Sequence, residues 1–438
     1  MKKTCFIILN ILLVCAMVLT ACAKSPSGSG NTAGTTDAPG SGNTAGVVEK
    51  CSLMKGITAN KVTASDDLSS QTPAVSDFAV RLFKECCKDG SNTLISPLSV
   101  MFALSMTANG ADGETLSQME NVLGMGIDEL NMYLYSYMNS LPKSEKYKLS
   151  PANSIWFKDT EGLSINRDFL QTNADYYKAD IYKVPFDKQT LKDINGWVKD
   201  KTDGMIPEIL DKIPQDAIMY LINALAFEAE WEEIYKENLV WDGVFTKEDG
   251  TEQNAEFMYS GESNYLEDKN AKGFIKYYSG RKYAFAAMLP DEGTSLSEYI
   301  SSLNGETLHK LLSNPKQADI EAAIPKFETK YSAEMSDILA GMGMPRAFDG
   351  SNAEFKKMGT SSAGNIFIGR VIHKTHISVM EKGTKAGAAT VVEMWDEGME
   401  AGQEEPKVIH LDRPFVYMLI DCENNMPFFI GTMTDIEG

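Results

Sequence analysis

The sequence is poor in the residues on which catalysis, metal binding and nucleic-acid binding depend. Its 438 residues include only four histidines, and 61 aspartates and glutamates outnumber 41 lysines and arginines, which gives a formal net charge of −20. Phosphate binding needs clustered basic residues, so this charge argues against nucleic acid as a partner. The sequence also contains no Gly-x-Ser-x-Gly turn with a credible triad, no phosphate-binding glycine loop, no His-Glu-x-x-His motif and no Cys/His cluster with zinc spacing. We therefore expect that the protein is not an enzyme and uses neither a metal nor a cofactor.

Cysteine is also scarce, and three of the seven cysteines fall within the first 22 residues. Two lysines precede an apolar run over 6–19, which is typical of an export signal and too short for a comfortable membrane span. Residues 19–22, Leu-Thr-Ala-Cys, resemble the lipobox of bacterial lipoproteins, which implies a signal peptide over 1–21 and a lipid on Cys22. A plain secretory signal cut near the alanines is the alternative. The later cysteines are too few and too scattered for a disulfide framework, and their state is left open: Cys51, Cys86, Cys87 and Cys422.

A low-complexity stretch separates the N-terminus from the globular part of the chain. Residues 22–46 are rich in Gly, Ser and Thr, and the heptad GSGNTAG occurs at 28–34 and again at 40–46. This composition predicts a flexible tether with an r.m.s. reach of about 25–35 Å. A polar extension over 47–73 follows, and globular patterning runs from 74 to 438 without another linker, which predicts one domain. We expect this domain at the extracellular face of the cell membrane, which it would contact only through the N-terminal lipid, or in secreted form if it is released.

Apolar periodicity predicts an α+β arrangement, with helices mainly in the first half of the globular region and strands mainly in the second. Helices are expected over 76–83, 98–108, 115–123 and 194–210. Strands are expected over 92–97, 153–158, 219–227, 283–289, 318–324, 366–380, 415–420 and 428–433.

The segment 381–395 combines the features of a loop and of a strand. Its residues alternate with a period of two, which is the period of a β-strand. One face would carry only uncharged residues: Thr384, Ala386, Ala388, Thr390, Val392 and Met394. The other face would hold both charges, Lys385 and Glu393, and the flanking residues are acidic and glycine-rich. We therefore predict a segment that is exposed as a loop and able to become a buried strand.

Short motifs spread over about 74–436 occur in an order that resembles the serpin family of serine protease inhibitors. They are NTLISPLS at 92–99, NGADGET at 109–115, NGWV at 195–198, LINALAF at 221–227, IPKF at 324–327, VIHK at 371–374, EKGT at 381–384 and DRPF at 412–415. The chain departs from the family pattern at Glu228-Ala229, where Lys-Gly is usual, at Met205, where Lys is usual, and at Thr432, where Arg is frequent. These departures bear on how efficiently the loop is released and not on the fold.

The resemblance implies a serpin fold with three β-sheets, about nine helices and an exposed reactive-centre loop over about 381–407. It also implies a monomeric inhibitor of serine, or else cysteine, proteases that acts as a suicide substrate. The protease attacks the loop and forms an acyl-enzyme, and the loop then inserts as a new strand of the main sheet. Distortion of the protease's catalytic groups stops hydrolysis, which depends on their placement. A non-inhibitory cell-surface binding protein with the same fold is the alternative.

The resemblance also assigns positions in the loop. The hinge would comprise Glu381, Gly383, Thr384, Ala386, Gly387, Ala388, Ala389 and Thr390. Its inward face contains no proline and no charge, as burial in a central strand requires. Counting Glu381 as the seventeenth residue before the cut places the reactive bond at Glu397–Gly398. The loop is longer than in many family members, so other cut sites remain open: Asp396, Met394, Met399 and Glu400.

Four further residues match family positions that control the opening of the sheet. Ser96, Asn223 and His373 match the shutter and the breach side, and Trp231 matches the breach. They would act through a buried polar network, although ordinary hydrogen-bonded core residues would give the same pattern. His373 and His376 would lie on opposite faces of a strand, which argues against a shared metal.

Overall fold

Most of the long helices form in the part of the chain before residue 202. The computed structural model describes residues 51–142, 144–213, 218–362, 364–384 and 405–437, which lie within one compact unit over Thr44–Gly438. Nine α-helices occur in these described residues: α1 Thr72–Cys86, α2 Pro97–Ala108, α3 Gly113–Leu123, α4 Ile127–Ser140, α5 Arg167–Tyr177, α6 Lys188–Lys201, α7 Leu296–Ser302, α8 Gly305–Ser313 and α9 Ser336–Met342. None of the helices in the described ranges has the length and apolarity needed to cross a membrane.

The strands are concentrated after residue 218. In chain order they are β1 Thr93–Ile95, β2 Tyr147–Lys158, β3 Ser164–Ile165, β4 Asp180–Val184, β5 Met219–Glu230, β6 Val240–Thr246, β7 Glu252–Glu267, β8 Ala271–Tyr277, β9 Tyr283–Pro290, β10 Lys316–Pro325, β11 Phe327–Glu334, β12 Gly359–Thr360, β13 Arg370–Met380, β14 Gly383–Thr384, β15 Lys407–His410, β16 Phe415–Asp421 and β17 Met426–Met433. The strand predicted over 366–380 therefore begins only at Arg370.

The described strands form three sheets, which confirms the predicted fold class. A nine-stranded sheet has the order β1-β17-β16-β9-β8-β7-β10-β15, with β6 also paired to β7. Every residue of β9, β16 and β17 is buried, because these apolar strands are covered on both faces. A six-stranded sheet has the order β11-β13-β14-β5-β2-β4, and β3 pairs with β12 in a small third sheet.

Helix α2 is the central helix of the core. Ser96 caps its N-terminus by accepting a hydrogen bond from the Ser99 backbone N–H (3.3 Å), and Pro97 lies in the first turn, where its missing N–H costs nothing. All residues of the helix are buried. It packs against β5 of the six-stranded sheet and β17 of the nine-stranded sheet. The helix therefore links the two large sheets.

The helix predicted over 194–210 is wrong in its second half. α6 ends at Lys201, and Asp203 adopts a left-handed backbone (φ 50°) that breaks the helix. Residues 202–210, which we call the covering segment, instead lie over the outer face of the six-stranded sheet, and Asn195 of α6 holds their far end. The apolar side chains that produced the helical spacing are buried against this sheet: Ile206, Ile209 and Leu210. The apolar spacing in this segment therefore reflects burial against the sheet and not a helix.

Candidate functional site

The six-stranded sheet is split between two of its central strands. β13 and β5 run parallel and pair directly only at Arg370–Ile372 with Tyr220–Ile222. At the other end, β14 lies between them and is antiparallel to both. Within the described residues, the facing edges over 373–378 and 223–228 have no strand between them. The distance between β13 and β5 therefore increases along their length. At one end they are direct neighbours, and at the other end one further strand, β14, fits between them. We call the space between the facing edges the gap.

Gly383 is the residue at which the chain turns into this gap. Its φ of +140° lies in the region that L side chains rarely adopt, and a Cβ added there would lie 2.0 Å from the Ala229 carbonyl oxygen. Gly383 pairs with Met380 on one side and Glu230 on the other. Only glycine fits this backbone conformation and this close approach.

Thr384 is the first residue whose side chain enters the gap. It pairs with Val379 of β13 and Ala229 of β5, and it is 2% exposed. Its Oγ1 lies 2.6 Å from the hydroxyl of Tyr278, so the buried hydroxyl has a partner. The family departure at Glu228-Ala229 therefore does not prevent the hinge from pairing with β5.

An aromatic pair supports the hinge from below. Trp231 stacks on Tyr278, with ring centroids 4.3 Å apart and planes 5° apart, and its Nε1–H donates to the Met380 carbonyl (2.8 Å). The backbone N–H groups of Trp231 and Tyr235 donate to the carbonyls of Lys382 and Glu381, both at 3.0 Å. The turn between β13 and β14 is therefore fixed by main-chain bonds as well as by packing.

An ion pair holds the start of the hinge. Lys326 pairs with Glu381 and also with Glu256 (3.1 Å). Desolvation alone would raise the pKa of Glu381, but the hydrogen bond from Lys326 and its charge outweigh desolvation and lower that pKa. Glu381 therefore stays ionised and tethers the hinge to the end of β10.

A second polar contact lies at the end of the sheet where β13 and β5 still pair. The Ser96 backbone N–H donates to Nε2 of His373 (3.0 Å), and Thr375 donates to the Leu94 carbonyl (2.6 Å). His373 is 2% exposed, and burial lowers its pKa to about 4, so the ring is neutral. The first bond joins β13 to the N-cap of α2 and the second joins it to β1, and both contacts would have to adjust if the sheet opened.

The structure brings together six of the residues that the sequence assigned to the site. Glu381, Gly383, Thr384 and Trp231 meet at the open end of the gap, and Ser96 and His373 meet at its closed end. Asn223 lies opposite Asn153 in the β2–β5 register, and its side chain is outside the description. The remaining hinge residues, the reactive bond and the lipidation site also lie outside the described residues: Ala386, Gly387, Ala388, Ala389, Thr390, Glu397, Gly398 and Cys22.

Sequence reasoning missed three residues that contact the hinge. Tyr278, Tyr235 and Lys326 come from other elements, and no local pattern singled them out. Lys326 stands in one of the quoted motifs, but nothing in that motif indicated its pairing with Glu381. In the described parts of the chain, no group of three or more His, Cys, Asp or Glu residues could hold a metal ion.

The comparisons with known proteins identify the family. The model of the serpin (serine protease inhibitor) family matches residues 73–436, so the chain belongs to the serpin family. Among curated proteins, it is 28% identical over 368 residues to an uncharacterized serpin-like protein of Thermococcus kodakarensis (82% of this chain, 84% of that protein). It is also 28% identical over 383 residues to the leukocyte elastase inhibitor of Xenopus laevis (84% and 98%).

Two solved structures of one thermophilic serpin, tengpin, are similar to this chain. The native-state crystal structure is 48% identical, with a TM-score of 0.84, and covers 88% of this chain and 99% of that one. The latent-state crystal structure is 46% identical, with a TM-score of 0.75, and covers 85% and 100%. The chain described here is thus more similar in shape to the native state than to the latent state.

Proposed function

We propose that the protein is a serine-type endopeptidase inhibitor that traps its target by inserting its cleaved loop into the six-stranded sheet. The observation that carries this proposal is the gap between β13 and β5, whose first two positions β14 already fills. The inserted strand would be a continuation of β14, which is already paired with β13 on one side and β5 on the other. This arrangement favours insertion of the residues that follow β14.

The register of β14 supports a specific path for the loop. Thr384 pairs with Ala229 and Val379, and β14 is antiparallel to both strands. A residue six positions after Thr384 would therefore face the residues six positions before these two, Asn223 and His373. Thr390 would then lie between Asn223 and His373. On β13, the core-facing residues along this path are all buried: Ile377, Thr375, His373 and Val371. The uncharged face of the hinge would meet this buried row.

Insertion beyond Thr390 would require the closed end of the gap to open. Residues 391–393 would replace the direct pairing of Arg370–Ile372 with Tyr220–Ile222. This exchange would extend the sheet by a full central strand and carry a protease bound through its acyl-enzyme away from the end of the molecule where it attacked. The native-state likeness reported above supports an uninserted starting form.

The test is incubation with a panel of serine and cysteine proteases. We expect a complex that survives SDS, and the N-terminus of the released fragment should start at Gly398. A cut after Met394 or Met399 would move the reactive bond, and would indicate an elastase- or chymotrypsin-like target. Cleavage by every protease without a stable complex would overturn inhibition in favour of a non-inhibitory surface protein.

We further propose that the chain is anchored by a lipid on Cys22 at the extracellular face of the membrane. The support is the lipobox-like sequence followed by the Gly/Ser/Thr tether. Metabolic labelling with a fatty acid should mark the wild type and not Cys22→Ala. Equal release of both proteins into the medium would favour a plain secretory signal.

A further inference from the structure

His376 connects the covering segment to the far side of the gap. It lies on the outer face of β13, opposite in direction to the buried His373. Its Nδ1 is 3.3 Å from the Met205 carbonyl oxygen in the covering segment, and its Nε2 is 2.8 Å from Oε1 of Glu328 on β11. The family departure at Met205 does not affect this contact, because the contact is made by the backbone.

Both ring nitrogens of His376 therefore face groups that can only accept hydrogen bonds. A carbonyl oxygen cannot donate, and neither can an ionised carboxylate. A hydrogen bond from Lys330 lowers the pKa of Glu328 against the opposing effect of desolvation, and His376 adds to the lowering, so Glu328 is a carboxylate. The two bonds form together only when His376 carries both protons, which makes it a cation.

The two partners of His376 belong to different halves of the split sheet. The covering segment is attached to α6 through Asn195, which accepts from the backbone N–H groups of Ile209 and Leu210 (2.9 and 3.0 Å). α6 in turn is tied to β4, where Asp180 accepts from Trp197 Nε1–H (2.9 Å). Glu328 and His376 instead belong to β11 and β13, on the other side of the gap.

A strand inserted between β13 and β5 would move the two halves apart by about 4.8 Å, the spacing of neighbouring strands, at the closed end of the gap. At His376, which lies between this end and Val379, where β14 already separates the halves, the gap would widen by part of that spacing. The bond between His376 and Met205 cannot survive that displacement while the covering segment stays on α6. If the antiparallel pairing of Val379 with Thr384 continues along β13, His376 faces position 387, so Gly387 would lie beside the histidine. The contact to be broken is the one with the covering segment.

We propose that His376 is a positioning residue which, when doubly protonated, latches the covering segment across the gap and slows loop insertion at acidic pH. This inference rests on the insertion step of the proposed function. The neutral form of a histidine, which higher pH favours, has a single N–H, so in that form His376 can keep only one of its two hydrogen bonds. The latch is therefore present at low pH and lost as the pH rises, so insertion becomes faster.

The other charges near His376 are already paired or lie on its own strand. On β11, Lys330 is opposite His376 in the register and pairs with Glu328 (2.7 Å). On β13, Lys374 precedes it on the same face. In the covering segment, Asp203 pairs with Lys148 of β2. Histidine is the side chain whose charge ordinarily changes between pH 5 and 8.

The test measures insertion without a protease. An end-capped, fluorophore-labelled peptide with the sequence of residues 384–395 is mixed with the purified protein, and its uptake is followed at pH 5.5 and pH 8 by gel filtration. We expect uptake about three- to tenfold faster at pH 8, which is the scale of the net contribution of one ordinary hydrogen bond. His376→Gln, which cannot become a cation, should insert at the fast rate at both pH values.

Two further variants separate the latch from general effects of pH. His410→Gln is the matched control, because His410 is similarly exposed and also contacts a glutamate, Glu321 (3.0 Å), away from the gap. It should keep the wild-type pH dependence, whereas Glu328→Gln should weaken that dependence. A wild-type rate that does not change with pH, or an unchanged dependence in His376→Gln, would overturn the latch. A peptide that never enters the wild type at either pH would instead count against the insertion mechanism itself.

Discussion

Gly383 decides at the residue scale whether the hinge can pair on both sides. We predict that Gly383→Ala destabilises the protein by about 2–4 kcal/mol, because the new Cβ overlaps a backbone carbonyl at 2.0 Å and the φ of +140° becomes strained. The measurement is the urea midpoint of unfolding. Gly261→Ala is the control, since Gly261 is also in a strand but has no atom within 4 Å of an added Cβ. Equal midpoints for the two variants would show that β14 does not constrain residue 383.

Thr384 tests whether the start of the hinge has to remain buried. If the protein is an inhibitor as proposed, we predict that Thr384→Arg converts it into a substrate that is cleaved and released, because burying an unpaired charge costs several kcal/mol and insertion competes with deacylation. The measurement is the number of inhibitor molecules consumed per protease inactivated, which should rise at least severalfold. Lys385→Arg is the control, because the alternation of the sequence predicts that residue 385 lies on the opposite face, and it should leave this number unchanged. The prediction fails if both variants trap the protease equally well.

At the scale of elements, the contact between α2 and β13 makes stability depend on pH through His373. The pKa of His373 is about 4 in the folded protein, because burial disfavours its charged form, against about 6.5 in an unfolded chain. The unfolded state therefore binds the proton first as the pH falls. The contribution of the neutral ring to stability is fully present above pH 6.5 and is lost progressively between pH 6.5 and pH 4.

We predict that acidification from pH 7 to pH 4 removes about 3 kcal/mol of unfolding free energy through His373, at about 1.4 kcal/mol for each unit of pKa difference. His373→Gln should be less stable at pH 7 but should lose correspondingly less on acidification. The measurement is urea unfolding at several pH values, with His410→Gln as the control. A wild-type loss no larger than that of His373→Gln would contradict the assignment. This effect acts on unfolding, whereas the His376 latch acts on insertion, so the two readouts separate them.

The sequence predicted some elements well because their evidence is local. α2 is an apolar run with Pro97 at its start and Asn109-Gly110 at its end, and its predicted and observed bounds differ by one residue. α4 and the long β7 were not predicted. β7 alternates exposed and half-buried residues and owes its strand to pairing with β6, β8 and β10, which no local window reveals. The same lack of non-local information explains why a helix was wrongly predicted over the covering segment, where the apolar residues have helical spacing but are buried without forming a helix.

The residues of the candidate site, like the secondary-structure elements, could be predicted only where the evidence is local in the sequence. Residues of the hinge and shutter could be found because short motifs carry them, such as Glu381 to Thr384. Tyr278 could not, because it meets Thr384 across 106 residues of sequence and only the fold brings their hydroxyls together. Insertion of the loop into the main sheet was implied by the resemblance, but the gap was not predicted, since it depends on β13 and β5 pairing at one end only.

At the scale of the whole molecule, charge should control how fast a target protease arrives. The protein carries a formal charge of −20, and acidic residues dominate the loop between Glu393 and Glu405. A basic protease would be attracted over distances that salt screens to about 8 Å at physiological ionic strength. In the proposed mechanism, the steps after cleavage take place within the sheet and involve buried contacts, so salt should affect encounter far more than insertion.

We predict that raising NaCl from about 25 mM to about 300 mM slows association with a basic target severalfold, because exposed charges that steer encounter are screened. The number of inhibitor molecules consumed per protease should stay constant, since it reports the competition between insertion and deacylation after binding. The measurement is the association rate constant from progress curves with the protease identified by the panel.

Replacing Glu404 and Glu405 by Gln should lower the rate at low salt and reduce its salt dependence. The same exchange at Glu145 and Glu161, two exposed glutamates outside the loop, serves as the charge-matched control. A rate that does not change with salt would mean that the acidic residues only solvate the loop.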